Sequence, residues 1–344
     1  MGRTPPPIPW AEPPTHPKLR ERRRSSGTRA PGEISPKPGP SRSSLPGNST
    51  THLETTLKSV PVNTDALFIW FVEFLPRRGL SRLARHLSRI RSRWAVRYFA
   101  AAYGIAVHEA ERPLDEYSSV FELFTRRLAP GARPVDSNPG ALVSPVDATV
   151  GAYGHITAGQ LVQAKGRVYT LSALLAQEAP HPSTADGRFA TLYLSPRDYH
   201  RVHSPAAGIL RGYTYVPGDL YPVNAPAVAR VDQLFARNER LVLHLDSSTH
   251  GPVEVVMVGA TNVGHMTLAA DPELRARCRR RELLRHTFDP PIPVERGDEL
   301  GVFELGSTVV LILDPSIDLH ALETLATPRV GQAIGHVVGP ATDD

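Results

Sequence analysis

The sequence predicts an α+β protein, with a β-rich antiparallel body, sandwich- or barrel-like, preceded by a helical layer. Three observations support this. After Pro139, short apolar or alternating runs recur between Gly, Pro, Asp and Asn residues, the texture of strands joined by turns. Between residues 77 and 97, Leu80, Leu83, Leu87, Ile90 and Trp94 recur at spacings of three and four, one face of a helix. Residues 1–60 hold 12 of the 34 prolines and show no hydrophobic period.

That first segment cannot bury enough apolar surface to offset its conformational entropy, and we read it as a disordered tail. It lacks the apolar core of a signal peptide. It also carries the charge. Residues 1–60 have ten Lys/Arg and four Asp/Glu, and the remaining 29 basic and 30 acidic residues give −1. The overall +5 therefore does not indicate a nucleic-acid-binding fold. A single cysteine, Cys278, excludes an internal disulfide and forms no metal motif.

A helical region is expected from 62 to 130. Residues 66–75 read ALFIWFVEFL, too short for a bilayer span of about 20 residues. The following stretch to Arg97 has eight arginines and no acid. A basic amphipathic helix of this kind suits an interface with anionic lipid. It equally suits a surface helix packed on a core with its arginines in water. Ser119 and Glu122 have the spacing of a capping box, opening a helix with the stripe Val120, Phe121, Phe124 and Leu128.

Within the body, from 135 to the end, strands are expected over 189–194, 209–216, 241–245, 253–258 and 303–313. Helical interruptions are expected at 171–176 and 225–235. Four stretches hold candidate chemistry. Ser144-Pro145-Val146-Asp147 places a carboxylate at a strand end, where it could equally cap a turn. Residues 195–205 carry His200 and His203, three apart, with no third ligand nearby to make a zinc site. Residues 215–224 form a loop of turn residues. The last stretch, FELGSTVVLIL from Phe303, interrupts an apolar strand with Gly306, Ser307 and Thr308. This is either a bulge or a reactive peptide bond. A serine hydroxyl can attack the carbonyl before it if a base takes its proton, and glycine on the acyl side leaves the approach open. Asp147, His203 and Ser307 could form an orienting carboxylate, a base and a nucleophile, but spacing alone does not locate a triad.

Many motifs in order resemble the phosphatidylserine decarboxylase proenzymes of bacteria and mitochondria, over about residues 62–336. They include FELFTRRLAPGARPVD from Phe121, SPVDATVGAYG from Ser144, Lys165-Gly166, LYLSPRDYHRVHSP from Leu192, YVPGDLYPVN from Tyr215, VMVGATNVGHM from Val256 and RGDELGVFELGSTVV from Arg296. The resemblance implies a self-cleaving zymogen. Asp147 would orient His203, His203 would be the base, and Ser307 would attack Gly306. The resulting ester would eliminate to dehydroalanine and hydrolyse to a pyruvoyl group. It implies a β chain, residues 1–306, and an α chain, residues 307–344, held together through the sheet. The pyruvoyl would form a Schiff base with phosphatidylserine, and CO2 would leave to give phosphatidylethanolamine, with His200 as proton donor. The enzyme would sit peripherally on the cytoplasmic side of the cell membrane. Ala148 departs from the family's usual glycine, and His265 from a small residue. Two other readings stay open from the residues: a pyruvoyl decarboxylase of a soluble amine, and a non-catalytic membrane-binding β module.

Overall fold

The computed structural model describes residues 77–164, 167–261, 266–304, 307–319 and 322–338. The expectations for the tail and for 66–75, and those for Lys165, Gly166, His265 and Gly306, lie outside the described residues. Among these residues the strands in chain order begin with β1 (Ala141–Val143), β2 (Thr149–His155), β3 (Gln160–Ala164), β4 (Arg167–Thr170), β5 (Arg188–Leu194), β6 (Arg201–His203), β7 (Gly208–Val216) and β8 (Arg240–Ser247). They continue with β9 (Gly251–Val258), β10 (Met266–Leu268), β11 (Leu284–Val294), β12 (Glu299–Phe303), β13 (Ser307–Leu313), β14 (Ile317–Asp318) and β15 (Ala333–Val337).

Seven of these form one sheet in the order β11-β7-β8-β9-β13-β5-β2, and two three-stranded sheets, β1-β15-β14 and β10-β12-β6, accompany it. The seven-stranded sheet is open, because its outer strands β11 and β2 do not pair with one another among the described residues. Each ladder is antiparallel, and the strand runs expected over 189–194, 209–216, 241–245 and 253–258 lie within the seven-stranded sheet. The reason is visible in β13. Val309 to Leu313 are fully buried, flanked by β5 on one side and β9 on the other. An unbroken β-branched and apolar run belongs where both faces of a strand are covered.

The stretch from Phe303 differs from the single strand expected. It is two strands in two sheets, β12 and β13, joined by residues 304–306. Phe303 N–H donates to the His200 carbonyl, so β12 is tied to the segment carrying the histidines. Glu304 is buried and ion-paired to Arg89 at 3.0 Å. Its carboxylate faces a cation, which a continuous apolar strand could not supply.

The helical layer also differs. The single period between 77 and 97 is two helices, Arg77–Ser88 and Arg93–Tyr103. Ser92 separates them. Its hydroxyl accepts from Ala95 N–H, and its own N–H donates to the Ser118 carbonyl, so it caps the second helix. Val96 and Ala100 of that helix are buried with Ile105, Tyr117 and Leu123 in a small separate core. The predicted apolar face is not what packs: Leu83, Leu87 and Ile90 are at least half exposed, and Trp94 is 74% exposed. The Ser119 helix is only Val120–Phe124, and the 225–235 region is two short helices, Ala225–Val228 and Leu234–Arg237. No helix among the described residues is long and apolar enough to cross a membrane.

Candidate active site

Strand pairing brings the sequence-predicted residues into one region. Ser307, the first residue of β13, is in register with Leu194, the last residue of β5. The chain leaving Leu194 runs straight into Tyr199, His200 and His203. Three residues separate β12 from β13, and β12 pairs with β6 so that Val302 faces Arg201 and Glu299 faces His203. Phe303 and Ser307, described residues before and after the 306–307 bond in the chain, are thus both tied to strands that adjoin the histidine segment. Asp147 arrives by a third route. His203 N–H donates to the Pro145 carbonyl, and Val143 N–H donates to that of Pro205.

His200 is fully buried, and its ring lies 3.8 Å from that of Phe124, centroid to centroid. Nδ1 is 2.9 Å from the Asp198 carbonyl, which can only accept, so the proton sits on Nδ1. Nε2 is buried with no hydrogen-bond partner among the described residues. Burial pushes the imidazolium pKa down to about 3, with Arg126 adding to this and the Asp198 carbonyl opposing it. His200 is therefore neutral, with a bare lone pair in a dry site. Leaving such a group unpaired costs about 1–3 kcal/mol, which packing alone does not explain.

His203 is half-buried. Its Nδ1–H donates to the Gly297 carbonyl at 2.6 Å, and Nε2 is 3.2 Å from the Tyr199 hydroxyl. Burial lowers its pKa, and the Gly297 carbonyl partly offsets this. The acceptor is built by local geometry. Gly297 has φ 91°, and a Cβ there would come within 2.6 Å of Val135, so only glycine turns the chain to aim that carbonyl at the ring.

Asp147 is buried beside His203, but no hydrogen bond joins the two among the described residues. Its carboxylate instead accepts from Arg133 Nε at 2.9 Å, Arg133 Nη2 at 2.5 Å and Val330 N–H at 2.9 Å. Arg133 also holds Glu109 at 2.7 Å, and Arg329 holds the other Glu109 oxygen at 2.6 Å. Ala148, where the resemblance raised a departure, is not among the residues with positive φ. It is buried, and its N–H donates to the Pro328 carbonyl. The alanine is accommodated without backbone strain.

Sequence reasoning missed Arg133, Tyr199 and Glu304. Arg133 and Tyr199 stand inside the quoted motifs and were the available signal. Glu304 looked like the polar position of an alternating strand. Cys278 is half-buried, and burial pushes its thiol up to about 12, which makes it unreactive.

The model of the family described as phosphatidylserine decarboxylase matches residues 120–336 of this chain. Proteins named phosphatidylserine decarboxylase proenzyme are similar over most of its length. That of Anaeromyxobacter sp. (strain K) is 43% identical over 283 residues, covering 80% of this chain and 99% of the relative. The Myxococcus xanthus protein is 38% identical over 286 residues, covering 79% and 98%. The one from Brevibacillus brevis is 42% identical over 242 residues, covering 70% and 86%.

Proposed function

Since the chain belongs to the phosphatidylserine decarboxylase family of enzymes, we propose that it is a self-cleaving zymogen whose Ser307 becomes a pyruvoyl group used to decarboxylate phosphatidylserine. The observation that supports this reading is that the histidine segment is tied to Phe303 through His200 and adjoins Ser307 through Leu194, and that it carries a buried His200 Nε2 with no hydrogen-bond partner among the described residues.

In self-cleavage, the Ser307 oxygen attacks the Gly306 carbonyl carbon, and the amide nitrogen leaves as an amine. His203 receives the serine proton and delivers a proton to that amine. Its Nδ1–H is committed to Gly297, so Nε2 is the basic atom, and the Tyr199 hydroxyl must either swing away or pass the proton on. Arg133 fixes the Asp147 carboxylate in place, so that its negative charge favours the imidazolium that forms. Removal of the Cα proton of residue 307 to a base, with loss of the Gly306 carboxylate from the ester, would give dehydroalanine, which hydrolyses with release of ammonia to leave the ketone at residue 307. The chains would be residues 1–306 and 307–344, held by β5 and β9.

The pyruvoyl group, once formed, supplies an electron sink for the bond that loses CO2. The residues present fit such a group, because the segment adjoining Ser307 carries a buried imidazole whose Nε2 has no hydrogen-bond partner among the described residues. With its proton on Nδ1, His200 Nε2 takes a proton from the ammonium of the substrate. It returns that proton to the carbon left by CO2, so a histidine that is neutral at rest still serves as the donor. The exposed row Leu83, Leu87, Ile90 and Trp94 on an arginine-rich layer supports peripheral seating on anionic lipid at the cytoplasmic face of the cell membrane.

Intact mass spectrometry of the purified protein tests the reading. The expected result is a break between Gly306 and Ser307 and a short chain whose blocked N-terminus reacts as a ketone. A free serine amine at 307, or an uncleaved chain that releases no CO2 from phosphatidylserine, refutes it.

A further inference from the structure

A cavity of about 760 Å³ opens between the helix Arg77–Ser88 and the helix Leu274–Arg277. Arg82 and Arg85 line it from the first helix, and Arg275 and Arg279 from the second segment. Its floor is apolar, with Leu241, Met266 and Leu274. Two acids also line it, but Glu239 is paired with Arg281 at 2.9 Å and Glu273 with Arg277 at 3.6 Å.

The guanidinium groups of Arg82, Arg85 and Arg279 make no ion pair or hydrogen bond among the described residues. Arg275 only approaches Glu304, at 4.0 Å, and that carboxylate is already held by Arg89 at 3.0 Å. Arg85 is also partly buried. Burial lowers its pKa, and Arg275, Arg89 and Arg82 add to the effect against the pull of Glu304. Guanidinium groups converging on a partly enclosed space without a counter-charge gain from an anion that can accept several N–H donors at once. An apolar floor would not stabilise a bare hydrated anion, but it suits one that carries a hydrocarbon stem.

The cavity's position narrows the choice. Met266 pairs with Phe303, and Leu241 is in register with Met257, which in turn faces Val309. Two of the floor residues therefore lie one strand away from the elements on either side of Ser307: Met266 on β10 beside β12, and Leu241 on β8 beside β9. The wall belongs to the helix that exposes Leu83 and Leu87. A phospholipid entering from that side would pass the arginines before its headgroup reached the reactive strand.

We propose that this cavity binds the phosphodiester of a phospholipid, between the exposed helix and the strand that begins at Ser307. The inference deepens the decarboxylase reading, on which the choice of headgroup rests, but the anion site itself can be tested without turnover.

The test is isothermal titration calorimetry of the full chain with dihexanoylphosphatidylglycerol, a soluble phosphodiester with neither amine nor carboxylate. Arg82→Gln and Arg279→Gln remove exposed, unpaired guanidiniums and should keep the fold. Each is expected to weaken binding about tenfold, the value of one charge-assisted phosphate contact. Arg211→Gln, an exposed arginine paired with Asp246 on the β7–β8 ladder, should leave the affinity unchanged. Inorganic phosphate should bind much more weakly than the lipid. No binding by the unaltered chain, unchanged affinity in both cavity variants, or an equal loss in the Arg211 control would overturn the proposal. Inorganic phosphate binding as tightly as the lipid would overturn the lipid assignment. Absence of CO2 release from phosphatidylserine would instead refute the decarboxylase reading and leave the calorimetric result standing.

Discussion

Replacing Arg133 by Met would remove the one cation shared by Asp147 and Glu109. The three side chains are 9%, 11% and 17% exposed respectively, so water does little to replace it. Breaking a buried ion pair on one side costs about 3–5 kcal/mol, because the stranded charge stays buried. Val330 N–H remains on Asp147 and Arg329 on Glu109, so the lower end, about 3 kcal/mol, is expected. At roughly 2–4 °C per kcal/mol for a domain of this size, the melting temperature should fall by roughly 6–12 °C at neutral pH. The pH dependence identifies the cause. Burial acts to raise the Glu109 carboxyl, but Arg133 and Arg329 outweigh it and hold the carboxyl below its ordinary value of 4.5. A depressed carboxyl contributes stability that is present above that ordinary value and is lost as pH falls through the folded one. The native protein should lose this contribution in acid, and the variant has already lost Arg133's part of it. The gap between their melting curves, read by calorimetry from neutral pH down to about pH 3, should therefore narrow. A gap that stays constant over that range would mean that lost packing, not the ion pair, destabilises the variant.

The two histidines separate by stage. His203→Ala and Asp147→Asn should leave an uncleaved chain near 37.5 kDa with no ketone. His200→Ala should cleave but release CO2 about 100- to 10,000-fold more slowly, as read on a gel with a CO2 assay. Cleavage lost in His200→Ala but kept in His203→Ala would exchange their roles. For the membrane, Leu83→Ser with Leu87→Ser should weaken binding to phosphatidylglycerol vesicles at least tenfold, since each inserted leucine is worth about 1.5–3 kcal/mol. Unlike a charge effect, that loss should persist in high salt; unchanged vesicle binding would exclude this face from the contact.

The strands were legible because their signal is local. Runs such as Val253 to Val258 state their burial in their own composition. What the sequence hid lies in long-range partners. The spacing of Leu80, Leu83 and Leu87 indicates a helical face but not whether lipid or protein covers it. The exposure of those residues shows only that the described protein leaves this face uncovered. The Arg89–Glu304 pair joins residues 215 apart, and it explains why a carboxylate sits buried beside the reactive segment. Asp147 could be named from its motif, whereas its attachment to Arg133, 14 residues away on the far side of β1 in the chain, could not. The break at Ser92 was written in a capping residue, but the regular leucine period outweighed it.

The position of β13 has a consequence for biosynthesis. Six strands of the main sheet precede it in the chain, and they fall into two blocks, β11-β7-β8-β9 and β5-β2, with no ladder between them except through β13. During translation neither block can be joined to the other until residues 307–313 have left the ribosome. Long-range pairing of this kind closes late. On the proposed self-cleaving reading, Ser307 would not meet the histidine segment while the chain is still short. Synthesis order would then act as a timer, delaying scission until the strand that would hold both products together is in place.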